Sequence, residues 1–268
     1  MKQLLLIIAL LPIMVNATPE LAKAIVDAAT PEAKGLAIAT MGDFRDTGWQ
    51  DSKVEMTMIL RNRKGKENTR ETKARYMEIN GDGDKSLTIF KQPRDIKGTA
   101  MLTWSHSIEA DDQWLYLPAL KRVKRISSKN KSGPFMGSEF AFEDLASQEI
   151  DKYSYAHLRD EDYAGINCYV VERKPAYKYS GYTRQIVWVD KEHFNPQQIV
   201  FYDRKNTLLK TLKFNNYKQY LNKYWRSDEM FMENHQTHKT TKLKFENYEF
   251  GNGFTNRDFD KTTLKRTR

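Results

Sequence analysis

The side chains able to do chemistry in this chain are cationic and aromatic far more than catalytic. Six of the eleven residues from Lys121 to Lys131 are Lys or Arg. Within that run Lys121, Arg122, Lys124 and Arg125 form a dense lip, and such a lip recognises an anionic headgroup or an acidic protein partner. The segment from Asp111 that runs into and includes this lip reads DDQWLYLPALKRVKRIS, and after the basic run comes SGPFMGSEFAFEDL. In an extended strand Trp114 and Tyr116 share one face while Leu115 and Leu117 share the other. A strand apolar on both faces must meet a core, a covering element or a bound apolar ligand on each. Together with Trp104, the residues Trp114, Tyr116 and Leu117 are therefore candidates for a hydrophobic cavity. The Gly-punctuated loop adds Phe135, Met136, Phe140 and Phe142, whose mix of rings and an adaptable thioether suits a flap over that cavity.

Other constellations carry less. Glu233, His235 and His238 have a metal-like spacing, but they fall in or beside a turn, with no Cys or second cluster to complete a tetrahedral set. No metal and no cofactor are expected. Asp111-Asp112 and Glu143-Asp144 are neighbouring carboxylates, and on a strand neighbours point to opposite faces, so neither pair is a ready acid-base couple. Cys168, the only cysteine, lies in INCYVV and reads as a small core residue. With no G-x-S-x-G, P-loop or dinucleotide fingerprint either, the chain is not expected to be an enzyme.

The elements that must position these residues follow from the rest of the sequence. Lys2, the apolar run Leu4 to Met14 and the small residues of Val15-Asn16-Ala17 have the layout of a cleavable signal peptide, with cleavage after Ala17. Eleven apolar residues fall well short of the roughly 20 needed to span a bilayer. Removal of residues 1–17 of the 268 leaves 251 and lowers the net charge from +9 to +8. An exported chain with one cysteine can form no internal disulfide and must rely on its core. Nucleic acid, the other customary partner of a basic patch, is not expected outside the cytoplasm.

Thr18-Pro19-Glu20 and Thr30-Pro31-Glu32 each supply a capping hydroxyl, a proline at the first helical position and an acid for the positive end of the dipole. Two short helices are expected, with Leu21, Ile25 and Ala28 on one stripe and Leu36, Ala37 and Met41 on the other. From Trp49 onward the text alternates polar and apolar residues, as in KVEMTMIL, between turns at 63–66, 80–83, 203–206 and 234–238. That predicts about ten or eleven antiparallel strands in one domain over residues 18–268, curled so that the helices cover the hollow.

At this point the sequence resembles the outer membrane lipoprotein-sorting proteins, periplasmic relatives of the carrier LolA. The resemblance rests on TIFKQPRDIKGTAMLTW, the DDQWLYLPALKRVKRIS strand, the SGPFMGSEFAFEDL loop, GYTRQIVWVDKEHFNPQQIVFYDRKNTLLKT and MFMENHQTHKTT. It implies a mainly β, LolA/LolB-like open antiparallel half-barrel whose concave face is covered by helices and holds acyl chains. It further implies a monomeric periplasmic carrier of lipoprotein or other lipid acyl chains with only transient membrane contact. The alternative it leaves open is an accessory subunit docking on an RND-type inner-membrane transporter through the basic face.

Overall fold

The computed structural model describes residues 17–266. The signal-peptide reading therefore concerns residues outside the described ones. Two helices come first, α1 (Ala17–Val26) and α2 (Pro31–Asp46). Thr30 caps α2 as its sequence predicts: its Oγ1 accepts from the Ala33 N–H at 3.1 Å, and Pro31 opens the helix. The stripes differ in part from expectation. Ala28 lies beyond the end of α1, and Leu36 is exposed, because the buried side of α2 is Gly35, Ala37, Ile38 and Met41. Among the described residues no helix is long and apolar enough to cross a membrane.

Thirteen strands follow, where the sequence reading expects ten or eleven: β1 (Asp51–Arg61), β2 (Glu67–Met77), β3 (Lys85–Gln92), β4 (Ala100–Trp104), β5 (Asp112–Leu117), β6 (Arg122–Ile126), β7 (Tyr153–Tyr163), β8 (Ile166–Pro175), β9 (Tyr182–Asp190), β10 (Pro196–Asp203), β11 (Leu208–Tyr220), β12 (Tyr224–Asn234) and β13 (Lys239–Phe250). One difference in the count is local. The apparent single strand from Asp111 to Ser127 is a hairpin, because Pro118 opens a 3-10 turn and Lys121 adopts a left-handed conformation (φ 48°) before β6 begins.

All thirteen strands form one antiparallel sheet in the order β6-β5-β4-β3-β2-β1-β13-β12-β11-β10-β9-β8-β7. Each half is a plain meander. The halves meet where β1 pairs with β13, and β6 and β7 are left as the two edges. Phe90 on β3 and Phe201 on β10 belong to one core cluster. In a flat sheet six strand steps would hold them about 29 Å apart at ~4.8 Å per step. The sheet is thus an open half-barrel that curls around its inner face, and Val54, Met56 and Met58 show the alternation of β1 delivering one side chain in two to that interior.

Two inserts fill the hollow. The segment 127–152, which must travel from one sheet edge to the other, crosses it and plugs one region with Phe135 and Phe140. Helix α2 covers another against β7 and β8, where Ile38 and Met41 pack with Tyr155 and Val171. Gly35 is what lets the helix lie so close. A Cβ there would meet the Ala156 backbone at 2.8 Å.

Candidate ligand cavity

The sequence singles out the β5 region, and the structure gives its two apolar faces two different protein covers. Leu115 and Leu117 face the inner core. Trp114 and Tyr116, with Trp104, pack on the outer face in a cluster closed by Phe254, Phe259 and Leu264 from the C-terminal segment. The Trp104 and Trp114 rings meet edge to face at 4.9 Å, and the Trp104 Nε1–H donates to the Phe259 carbonyl at 2.7 Å. The β-rich text leaves this cover invisible, since it is built from short 3-10 turns at 256–259 and 263–266.

The aromatic loop lies inside the hollow. Phe135 is 1% exposed, and its ring sits 5.8 Å from both Phe90 and Phe142. Met136 and Phe142 are partly buried against the same core, as is Leu117, and Phe140 is buried within it. A polar network fastens this loop. The buried Lys210 ammonium donates to the Glu139 carbonyl at 2.8 Å and to Asp144 Oδ2 at 2.7 Å. Glu143 accepts from the Gly181 N–H and Ser180 Oγ, both at 2.8 Å, and Tyr182 donates to Asp144 Oδ1 at 2.8 Å. Burial first, then the adjacent Asp144, raises the Glu143 pKa. The two carboxylates of this pair do not point to opposite faces as on a strand. They lie in a 3-10 turn, Phe142–Leu145, and serve one buried network.

The basic residues stand apart from both. Arg122, Lys124 and Arg125 are exposed on β6, the edge of the sheet, and Lys121 is exposed at the turn before it. The left-handed residue interrupts strand alternation, so Lys121 belongs to the turn and not to a strand face with Arg125. Arg125 pairs with Asp112 across the hairpin. Elsewhere His235 Nε2 lies 2.8 Å from Thr211 Oγ1 in the turn region, and burial pushes the Cys168 thiol up to about 11.

A cavity of about 940 Å³ lies elsewhere, between α2 and the inner face of the sheet. This is within the ~300–1,000 Å³ typical of ligand sites. Its helix wall is Ile38, Ala39 and Gly42; its sheet wall includes Val187, Val189, Phe214, Met230 and Phe245. None of the aromatic residues singled out from the sequence lines it. Its rim is acidic, with Asp43 and Asp46 from the end of α2, Glu78 and Asp84 around the β2–β3 turn, and Glu149 from the crossing segment. Burial, reinforced by Glu149, Glu78 and Asp46, raises the Asp84 carboxyl to about 7. Asp43 is raised too, by burial and then by Glu149 and Asp46. The signal in the sequence was there, since aspartates at 43 and 46 occupy the C-terminal end of a helix, where the dipole disfavours negative charge.

A curled antiparallel sheet whose hollow holds a helix and an apolar cavity is the LolA-type half-barrel. Its architecture matches that of a LolA superfamily protein from Nitrosomonas europaea at a TM-score of 0.68, with 19% identity over 88% of this chain and 99% of the other. The chain belongs to the outer membrane lipoprotein-sorting protein family. It is 58% identical to a sorting-protein domain from Vibrio parahaemolyticus, covering 87% of this chain and 99% of that one at a TM-score of 0.86. A DUF1329 family protein from Desulfovibrio piger is 32% identical, over 88% and 99% of the two chains, with a TM-score of 0.84. A family profile described as "-like: Uncharacterized protein" matches residues 82–266. Comparison with curated proteins gives no match.

Proposed function

We propose that the protein is a periplasmic carrier that shelters acyl chains of lipoproteins or other lipids and moves them between inner-membrane machinery and the outer membrane. On this reading residues 18–268 are one carrier domain delivered by a cleaved signal peptide. The observation that carries it is the cavity of about 940 Å³ between α2 and the inner sheet wall, apolar in its depth. Burying apolar surface is worth about 25 cal/mol per Å² before ordering costs. The naming of the Vibrio parahaemolyticus relative for outer membrane lipoprotein sorting supports the same reading.

Filling the cavity tests it. Ala39→Trp on α2 and Met230→Trp on β12 each place an indole in the void. Both variants are expected to keep the wild-type circular dichroism spectrum and to lose binding of a fluorescent phospholipid. Wild-type protein isolated from the periplasm should carry lipid in native mass spectrometry. Wild-type-like lipid binding by both filled variants would sink the assignment.

A second reading is favoured by the exposed cations at the β6 edge. An RND-type inner-membrane transporter with an acidic docking face would meet that surface. Co-purification of such a permease that survives cavity filling but not removal of the cations would favour it.

A further inference from the structure

We propose that the cavity selects amphiphiles whose polar end is cationic, an amine or guanidinium beside an acyl or alkyl tail, over those with a carboxylate or phosphate alone. The proposal rests on the carrier reading and deepens it. Its first support is the contrast between the cavity and the rest of the molecule. The chain carries a formal charge of +9, yet seven carboxylates line this cavity against two arginines, Arg173 and Arg226.

Both arginines are already engaged. Arg226 pairs with Asp46 and stacks over Trp49, while Arg173 donates to Gln185 at 2.5 Å and lies over the Tyr153 ring. Burial raises the Asp43, Asp46 and Asp84 carboxyls, and the neighbouring Glu78 carboxylate raises each of them further. Even so, among the described residues no three acidic or metal-binding side chains are placed to hold a metal ion. Carboxylates spread around a rim without converging on a point suit a diffuse organic cation and not a compact metal ion.

An independent observation places a ligand group deeper in. Tyr155, on the cavity wall beneath α2, is 7% exposed, and among the described residues its hydroxyl has no partner in hydrogen-bond geometry. Gln148 lies near enough to influence its pKa without reaching hydrogen-bond geometry. A buried hydroxyl left unpaired is costly, and a ligand with a hydrogen-bonding group where tail meets head would satisfy it. The apolar wall, the lone hydroxyl and the acidic rim thus match in order the tail, neck and head of a cationic amphiphile.

Three ten-carbon probes separate the terms: decylammonium, decanol and decanoate, titrated calorimetrically into the mature chain at neutral pH below their micelle-forming concentrations. Decylammonium should bind at least about tenfold more tightly than decanoate, which is ~1.4 kcal/mol, with decanol between them. The ratio should shrink as salt is raised. Asp43→Asn with Glu149→Gln should bring the ratio down severalfold while leaving decanol affinity unchanged, and Asp43→Asn alone should give part of that loss. Tyr155→Phe should leave these probes, which carry no neck group, unchanged, but should weaken N-(2-aminoethyl)decanamide, whose amide lies at the neck; an unchanged amide affinity overturns the assignment of Tyr155. Equal or tighter binding of decanoate, or a ratio indifferent to the rim variants, overturns the proposal while the carrier reading stands. Failure of all three probes to bind removes both.

Discussion

Asp84 shows how one residue couples the cavity to solution conditions. Its carboxyl is raised from 3.8 to about 7, chiefly by burial and then by Glu149, Glu78 and Asp46. One stabilising contact opposes this, the Ile79 N–H donating to Oδ1 at 3.2 Å. A carboxyl whose folded pKa lies above its unfolded one makes the folded state bind more protons. Its effect on stability is nil well below pH 4, grows more unfavourable between about 4 and 7, and is constant above. Asp84→Asn keeps an acceptor for Ile79 and removes the charge. Its melting temperature should equal that of wild type near pH 4 and exceed it at pH 8. A melting-temperature difference independent of pH would show that the buried charge at Asp84 is not the cause.

At the scale of elements, the sheet was readable because alternation is a local signal. The β1 pattern, the four anticipated turns and the Thr30 cap lie where their residues predict. What could not be read was set by contacts distant in sequence. Trp114 and Tyr116 are apolar whether the cover is a ligand or the C-terminal segment more than 130 residues away, and nothing in their types distinguishes the two. Likewise a helical stripe does not reveal that Gly35, and not Leu36, meets the sheet. The cavity itself arises from the gap between α2 and strands from both meanders, so its lining is scattered over the chain. Gly35 makes this testable. Substituting alanine in a helix ordinarily gains about 1 kcal/mol, but here the new Cβ would press on the β7 backbone, which cannot rotate away as a side chain would. Overpacking of that kind costs about 1–3 kcal/mol. Gly35→Ala is therefore expected to lower the melting temperature and, by lifting α2, to speed hydrogen exchange in β7 relative to β1. An unchanged or higher melting temperature would mean that the helix is not held at the distance described.

Across the whole molecule, charge is divided by location. The cavity rim is acidic, whereas the β5–β6 hairpin presents Lys121, Arg122, Lys124 and Arg125 on the sheet edge. An edge strand needs protection from pairing with other chains, and lysines and arginines supply it. That explanation accounts for charges on β6 itself. It does not require Lys121, which sits in a left-handed turn ahead of the strand. On the proposed carrier function the protein would have to approach membranes or membrane proteins in a productive orientation, and a cationic edge would steer it towards anionic surfaces, an effect that salt screens within about 10 Å at 0.1 M. Exposed pairs such as Arg125 with Asp112 add little to folding. Replacing all four cations by Gln should thus leave the melting temperature nearly unchanged, since surface substitutions are usually within about 0.5 kcal/mol. The same variant should bind vesicles containing anionic lipid several times more weakly at low salt and transfer bound lipid to them more slowly, with both differences vanishing at high salt. Decanol affinity, measured at the distant cavity, should not move. If the variant instead binds and transfers like wild type at low salt while forming aggregates, the cations serve only to guard the open edge.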